Sequence, residues 1–309
     1  MTVVIMKDLP EASVFNALSE KRLALKLGPF ATRLNIGDEL TQRFILDMYQ
    51  EAQVEIGNEL LCDFSMTVRP PNLYRRFFRK QIVPDPGFNF PAVPLPSALS
   101  PLALEMGLNL NVALQCFRFA IFHAGVVAKG SEALIISAKS GGGKSTLTAA
   151  LMEDGFRLLS DEFAILDIQD ATLKAYPRPV SLKNQAIDVV KAFAGSENVS
   201  ATFTDTPKGN IAYRRIRASD VAAAGQPASA SIILFPEFVE GAAPQITQID
   251  LADAAMQLIA SSPNYQVIGE PAFTALMVML DGVQAFEIKY GNTEDSLEIV
   301  HDLLHREPS

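Results

Sequence analysis

A glycine-rich turn between an apolar segment and a helical segment is the strongest chemical signal in the sequence. Residues 134–148 read LIISAKSGGGKSTLT. Glycines let successive backbone N–H groups curl around a polyphosphate, and a helix that starts there adds the positive end of its dipole. The pattern is typical of a phosphate-binding loop and predicts nucleotide binding. The residues predicted to contact the nucleotide are Ser140, Gly141, Gly142, Gly143, Lys144, Ser145 and Thr146.

Two side chains of this turn have specific predicted roles. Lys144 would bridge the β- and γ-phosphates of the nucleotide, and the hydroxyl of Ser145 would be a ligand of Mg²⁺. The usual pattern, G-x-x-x-x-G-K-[ST], has glycine where this chain has Ala138. Alanine fits that position if its φ is negative, so we interpret the loop as a variant. ATP and Mg²⁺ are the predicted cofactors.

An acidic pair follows at a short interval. Asp161 lies seventeen residues after Lys144 and is followed by Glu162. The interval holds one helix of about 10 residues and one short strand, so we expect that strand to lie beside the first and to end level with the loop. Asp161 would then reach the γ-phosphate, where an acid can hold Mg²⁺ or accept a proton from an attacking hydroxyl. The alternative is a strand-end carboxylate that only caps local backbone.

Regular elements must hold these residues in place. Residues 133–137 are predicted as the strand that enters the loop, residues 145–153 as the helix that leaves it, and residues 156–159 as the strand that carries Asp161. The apolar run over residues 117–127 predicts one buried strand that carries His123. Residues 195–208 predict a polar loop of functional length.

The N-terminal part of the chain predicts a separate α+β unit. Strands over residues 23–27 and 32–36 flank a Gly28-Pro29 turn, and Asp38 caps a helix that runs to Tyr49. Six prolines between residues 84 and 101 indicate a boundary or linker, although an ordered crossover fits them nearly as well. The overall prediction is an α/β protein, with an α+β N-terminal region over residues 1–95 and a nucleotide-binding catalytic domain over residues 96–309.

Composition limits the partners and the compartment. The net charge of −9 argues against nucleic acid or an anionic membrane as the main partner. The basic cluster at residues 75–80 is interpreted as a solvated strand face, with a patch for an anionic substrate as the alternative. Cys62 and Cys116 lack metal-ligand spacing and predict free thiols. With no signal-peptide pattern and no long apolar run, we expect a cytoplasmic protein.

The region around the loop resembles the catalytic core of HPr kinase/phosphorylase. That family has a His-Gly dipeptide, then G-E-S-G-x-G-K-S, a helix, and G-x-R-L-x-x-D-D. The positions of this chain that match are His123, Lys144, Ser145, Gly155, Arg157, Leu158 and Asp161. Ala124, Ala138 and Glu162 depart from the family residues. The resemblance covers residues 119–168, and it implies a P-loop kinase domain of the HPr kinase and PEP-carboxykinase type.

Outside that core, three motifs resemble the HPr-kinase-related kinases that are encoded with PqqD-like peptide-binding proteins. They are MGLN at residues 106–109, PRPVSLKN at residues 177–184 and TPKG at residues 206–209. This likeness implies an ATP-dependent phosphotransferase that acts on a hydroxyl, with a serine of a peptide or small protein as the favoured acceptor. It also implies a PqqD-like partner. The resemblance to HPr kinases, which assemble through their catalytic domains, implies a homo-oligomer.

The resemblance also implies the roles of individual residues. Asp161 would be the general base, with His123 hydrogen-bonded to it. Glu162 and Ser145 would hold Mg²⁺, for which Asp161 is a further ligand, and Lys144 would spread the γ-phosphate charge. Lys208 is the first choice for a second catalytic cation. Its alternatives are Arg178 and Lys183.

Two other functions remain open on the sequence. A small-molecule kinase that acts on a sugar or alcohol would have the same core and another acceptor pocket. A nucleotide-sensing partner of a peptide carrier would bind without turnover, and the departures at Ala124, Ala138 and Glu162 are compatible with weakened catalysis.

Overall fold

Four β-sheets with helices packed on them form the protein, which is described by a computed structural model over residues 3–139 and 141–305. This arrangement confirms the predicted α/β class. None of the helices in the described ranges is both long and apolar enough to cross a membrane.

The N-terminal part of the chain forms a seven-stranded sheet with helices beside it. Its elements are β1 (Val4–Ile5), α1 (Glu11–Ser19), β2 (Leu23–Leu27), β3 (Phe30–Ile36), α2 (Glu39–Met48), β4 (Gln53–Ile56), β5 (Phe64–Arg69), α3 (Leu73–Phe77), β6 (Gln81–Asp85) and β7 (Leu95–Pro96). The strand order is β1-β4-β2-β3-β5-β6-β7, and the β3–β5 pair is parallel. Strand β3 buries every second side chain, as a half-buried strand does. The Asp38 side chain accepts from the Thr41 N–H and caps α2 as predicted.

The rest of the chain contains the phosphate-loop segment. Its elements are α4 (Ser100–Gln115), β8 (Phe119–Phe122), β9 (Gly125–Lys129), β10 (Glu132–Ile136), α5 (Lys144–Glu153), β11 (Arg157–Ser160), β12 (Ala164–Asp167), β13 (Leu173–Lys174), β14 (Val180–Lys183), α6 (Gln185–Ala194), β15 (Phe203–Thr206), β16 (Gly209–Arg214), α7 (Ala218–Ala222), β17 (Ser229–Phe238), β18 (Gln245–Ile249), α8 (Leu251–Ala260), α9 (Tyr265–Ile268), α10 (Glu270–Leu280), β19 (Gln284–Tyr290) and α11 (Thr293–Leu304).

A six-stranded sheet is the centre of this part. Its order is β11-β9-β10-β17-β19-β18, with parallel pairs β10–β17 and β17–β19. Leu134 and Ile136 of β10 point into a core formed with α5, α6 and α11, whereas Ile135 points into a core formed with α8 and α10. The sheet is therefore covered on both faces, which explains why β10 has consecutive apolar residues. Two antiparallel three-stranded sheets, β13-β12-β8 and β14-β16-β15, complete this part.

The sequence predicted that the strand carrying Asp161 lies directly beside the strand that enters the loop, and this prediction is wrong. Strand β9 lies between β10 and β11 and is antiparallel to both. Strands β10 and β11 therefore run in the same direction, and both end at the same edge of the sheet. Asp161 therefore still lies level with the loop, as predicted, although its strand pairs with β9 and not with β10.

The prediction of one strand over residues 117–127 is wrong. The chain turns at His123 and Ala124, where the Ala124 N–H donates to the Phe122 carbonyl at 2.9 Å. Strand β8 before the turn pairs with β12, and β9 after it pairs with β10. His123 therefore lies in a break between two sheets, and its side chain is exposed there.

Two further segments differ from the predicted structure. Residues 75–80, interpreted as a strand face, begin within the short helix α3, because the Asn72 side chain accepts from the Arg75 N–H and caps it. The predicted loop over residues 195–208 contains β15, whose Phe203 packs edge-on against Phe44. Lys208 consequently lies in the tight turn between β15 and β16.

The N-terminal sheet shares its core with later parts of the chain. Leu104 and Leu108 of α4 lie in one apolar cluster with the N-terminal sheet, and so do Ile165 of β12 and Tyr213 of β16. The sheet therefore does not bury its apolar face alone. The boundary at residue 95 stays a prediction.

Candidate active site

The glycine-rich turn between β10 and α5 has a backbone that requires glycine. Gly141 and Gly143 have φ values of +88° and +94°, which L-residues with a Cβ rarely adopt. The Gly142 N–H donates to the Lys139 carbonyl at 2.9 Å and closes the turn. Ser140, a predicted nucleotide contact, lies outside the described residues.

Close contacts also exclude side chains from this turn. A Cβ on Gly142 would lie 2.9 Å from the carbonyl oxygen of Pro236 in β17. A Cβ on Gly143 would collide with the hydroxyl of Tyr290 at the end of β19. Helix α5 begins directly afterwards, and among the described residues no side chain caps its N-terminus. The turn therefore offers backbone N–H groups and a helix dipole to an anion.

Asp161 contacts both reactive side chains of the loop. Its Oδ2 accepts a hydrogen bond from the Ser145 hydroxyl at 2.9 Å. The Lys144 ammonium donates to the Asp161 backbone carbonyl and lies 3.4 Å from its Oδ1. Asp161 is only 2% exposed, so these charged contacts lie in a site with little water.

The backbone around Asp161 fixes the direction of its carboxylate. The Ser181 N–H, in β14, donates to Asp161 Oδ2 at 3.3 Å. The Ser160 hydroxyl accepts from the N–H groups of Glu162 and Phe163 at 3.3 and 3.1 Å and holds the turn after β11. Asp161 is thus held by strand β14 as well as by the loop.

Glu162 forms a second pair, with His123. The His123 Nδ1 lies 3.5 Å from Glu162 Oε2, and the two side chains are 47% and 28% exposed. Loss of hydration lowers the pKa of His123 from its ordinary value of 6.5, and the Lys144 charge lowers it further, although both acids oppose this. The imidazole is therefore neutral at neutral pH.

The charge of Glu162 follows from the same surroundings. Burial raises its pKa, but the positive charges around it, beginning with Lys144, outweigh burial and hold the pKa below 4.5. Glu162 is therefore ionised at neutral pH. The sequence comparison placed the His123 hydrogen bond on Asp161, whereas the structure places this ring against Glu162.

The three candidate cations have different positions. Lys208 is exposed in the β15–β16 turn. Lys183, at the end of β14, is close enough for its charge to lower the pKa of Glu162. Arg178, expected on an exposed loop, is buried in an ion pair with Glu105 of α4. The charge of Arg178 also lowers the pKa of Glu162, but its guanidinium is buried against Glu105. Lys183 is thus the one of the three that is both exposed and close enough to act on Glu162.

The sequence analysis missed two residues that shape the site. A Cβ on Gly125 would lie 2.7 Å from the Thr148 hydroxyl and 3.6 Å from Cγ of Lys144, so this glycine makes room for the lysine. The sequence signal that could have indicated this role was a glycine two residues after His123, within an apolar run. Tyr290 has a buried hydroxyl with no hydrogen-bond partner in residues 3–139 and 141–305. Nothing in the local sequence indicates its contact with Gly143.

The donor set fits a polyphosphate with Mg²⁺. The backbone turn and Lys144 could hold phosphate oxygens, while the hydroxyl of Ser145 and the carboxylates of Asp161 and Glu162 are the oxygen ligands that Mg²⁺ prefers. Within the described parts of the chain, no cluster of three or more His, Cys, Asp or Glu side chains could hold a metal.

Comparisons with known proteins give little further information. No family model and no curated protein matches this chain. Among solved structures, the chain is similar to the Hpr(Ser) kinase/phosphatase from Coxiella burnetii, with 15% sequence identity over 60% of this chain and 97% of that chain, and a TM-score of 0.25. A likeness with so low an identity and TM-score carries no argument, so function must be argued from the side chains.

Proposed function

We propose that this protein is an ATP- and Mg²⁺-dependent kinase that transfers the γ-phosphoryl group of ATP to a hydroxyl, with a serine of a peptide or small protein as acceptor. The observation that carries the proposal is the contact of Ser145 and Lys144 with Asp161 at a glycine-rich turn. In P-loop enzymes, a loop serine and a strand-end aspartate hold Mg²⁺ beside a lysine that binds the phosphates.

Binding would be divided between the backbone and two side chains. The turn of Gly141, Gly142 and Gly143 and the N-terminus of α5, at Thr146, would receive the phosphates, and Ser140 is included on the sequence pattern alone. Ser145 and Asp161 would hold Mg²⁺. Glu162, which the sequence resemblance also assigned to the metal, would act on the acceptor instead. The bound ion would neutralise charge on the phosphates.

We assign proton removal from the acceptor hydroxyl to Glu162, where the sequence resemblance assigned it to Asp161. Both Asp161 oxygens already face donors, and its side chain is almost fully buried. Glu162 is ionised and partly exposed, and the neutral ring of His123 lies against it. A general base must reach the incoming hydroxyl, and of the two acids Glu162 is the one exposed enough to offer that access.

Two cations would compensate the charge that develops on the transferred group. Lys144 lies between the loop and Asp161 and would stay in contact with the γ-phosphate during the transfer. Lys183 is preferred to Lys208 as the second cation, because its charge acts on Glu162. Lys183→Ala is then expected to lower kcat more than Lys208→Ala, and the opposite order would restore Lys208 as the catalytic residue.

Incubation of the purified protein with γ-labelled ATP tests the reaction. Label should appear in serine-containing peptides or a small protein when Mg²⁺ is present. Transfer to sugars or alcohols alone would indicate a small-molecule kinase. Nucleotide binding without transfer to either pool would indicate a nucleotide-sensing protein and contradict the proposal.

Two acid variants separate the proposed roles. Glu162→Gln removes the base and should lower kcat by about 10²- to 10⁴-fold, with the affinity for Mg²⁺ and ATP nearly unchanged. Asp161→Asn should instead weaken Mg²⁺-dependent ATP binding. Glu240→Gln, at an exposed acid, is the control. If Asp161→Asn lowers kcat alone while Glu162→Gln is active, Asp161 is the base.

A further inference from the structure

The segment of residues 72–80, NLYRRFFRK, combines exposed apolar side chains with cations. Four large side chains are between 61% and 72% exposed, namely Leu73, Tyr74, Phe77 and Phe78. The four cations are Arg75, Arg76, Arg79 and Lys80. We call this stretch the basic–aromatic segment. No residue of its helix, α3, is buried, so these aromatic side chains do not contribute to the core.

Local structure separates the two kinds of side chain. At helical spacing, Leu73, Tyr74 and Phe77 lie on one face of α3, and Arg75 and Arg76 lie on the other. The Tyr74 ring stacks on that of Phe78, with centroids 5.2 Å apart. The guanidinium carbons of Arg75 and Arg76 lie 5.6 and 5.7 Å from the Tyr74 and Phe77 ring centres. The result is an amphipathic turn whose apolar face meets solvent.

We infer that the basic–aromatic segment binds the surface of an anionic lipid bilayer. The apolar face would enter the headgroup region, where aromatic side chains are favoured, and the cations would face lipid phosphates. Each Lys or Arg near such a surface contributes about fivefold to binding. The phosphate-transfer site takes no part in this binding, so each proposal can fail without the other.

The composition of the segment favours a bilayer over an acidic protein. Its four large apolar or aromatic side chains are each more than 60% exposed and stand beside four cations. An anionic bilayer interface accepts both kinds of side chain, whereas an acidic protein surface would pair the cations and leave the four large side chains in water. The net charge of −9 does not prevent binding, because charges more than about 10 Å from the bilayer are screened at 0.1 M salt.

A single tryptophan can report the contact, because the chain contains none. Phe77→Trp places an indole on the apolar face of α3. On mixing with vesicles that contain phosphatidylglycerol, its emission should shift to shorter wavelength, and with pure phosphatidylcholine vesicles it should shift little. Val267→Trp, at a 70% exposed apolar position of α9, is the matched control and should not shift with either vesicle.

Sedimentation with the same vesicles measures the two contributions. Arg75→Gln/Arg76→Gln should weaken binding by about 25-fold, as expected for two surface charges. Phe77→Ser/Phe78→Ser should weaken it by about 10-fold or more. Both variants should keep the thermal transition of the wild type, because the replaced side chains are exposed.

Three results would overturn the inference. One is wild-type protein that stays in solution with phosphatidylglycerol vesicles. Another is equal binding to neutral vesicles, which would remove the role of the cations. The third is binding to poly-glutamate with no binding to vesicles, which would identify an acidic protein surface as the partner.

Discussion

Neighbouring acids differ in what surrounds them. Asp161 lies under the loop with donors on both oxygens, whereas Glu162 points to a partly exposed position beside His123. Two adjacent acids in the sequence do not reveal this difference. It depends on the direction of each side chain, and successive side chains at a strand end point in different directions. The first of the pair is suited to hold a metal, and the second is suited to meet an acceptor.

The state of His123 should appear in the pH dependence. Because its pKa is lowered from 6.5, the ring is neutral at pH 7 and becomes protonated only at a pH below 6.5. The imidazolium would then pair with Glu162 and reduce its basicity, so kcat/KM should fall as the pH falls through this range. In His123→Gln the fall should move to lower pH, where Glu162, with a pKa below 4.5, is itself protonated.

A second histidine provides the control for this measurement. His301 pairs with Asp154 at 2.9 Å and has no contact with the acidic pair. His301→Gln should keep the wild-type pH profile. An unchanged profile in His123→Gln would show that another group determines the acid limb.

At the scale of elements, helix α5 must approach strand β9 closely for Lys144 to reach Asp161. Gly125 of β9 permits this approach, since a Cβ there would lie 2.7 Å from the Thr148 hydroxyl. That hydroxyl is buried without a partner in the described residues. The small residue at 125 is therefore a packing requirement of the site.

A double-mutant cycle tests this packing. Gly125→Ala should destabilise the protein by about 1–3 kcal/mol, because the new methyl group overpacks the contact. Thr148→Ala alone should have a small effect, and the double variant should recover most of the loss. Thr148→Val keeps the volume of the side chain and should not rescue Gly125→Ala. Equal rescue by valine and alanine, measured by urea unfolding, would contradict the packing explanation.

Strand β14 depends on a buried ion pair in the segment before it. Arg178 pairs with Glu105, whose carboxylate also accepts from the Tyr49 hydroxyl at 2.6 Å. Three residues later, the Ser181 N–H donates to Asp161. Tyr49, directly after α2, and Glu105 of α4 therefore contribute to the position of Asp161.

Removal of one member of this pair should be costly. Arg178→Met leaves the Glu105 carboxylate buried and unpaired, which should cost about 3–5 kcal/mol of unfolding free energy. Lys289→Met breaks an exposed pair with Glu237 and should cost less than about 1 kcal/mol. Chemical denaturation measures both. Similar losses of unfolding free energy in the two variants would mean that the Arg178–Glu105 pair stabilises the protein no more than a surface pair does.

Local patterns predicted the elements that short-range chemistry determines. The glycines and the Lys144 position were sufficient for the loop and helix α5, and Asp38 was sufficient for the start of α2. The burial of Arg178 was not predictable, because its partner Glu105 is 73 residues away. The break at His123 was missed for a similar reason: its apolar flanks join different sheets.

At the scale of the whole molecule, the two predicted domains meet in one core. Helix α4 packs on β5 and β6 of the N-terminal sheet, and that cluster continues to Phe119 and Tyr176 in the later part of the chain. Polar contacts also join the two parts. The Arg178–Glu105 pair lies within residues 96–309, whereas Tyr49, whose hydroxyl donates to Glu105, lies within residues 1–95.

Deletion of residues 1–95 tests whether residues 96–309 can fold alone. It would uncover Leu104, Leu108 and Val112 on one face of α4 and leave them in water. Because unfolding free energies of domains are small, exposure of such a face should abolish cooperative folding, and the 96–309 fragment should aggregate or bind a hydrophobic dye. Co-expression with a 1–95 fragment should restore solubility, since the missing surface is supplied in trans. A fragment that melts cooperatively by itself and binds ATP would show that the shared core is dispensable and that residue 95 is a true domain boundary.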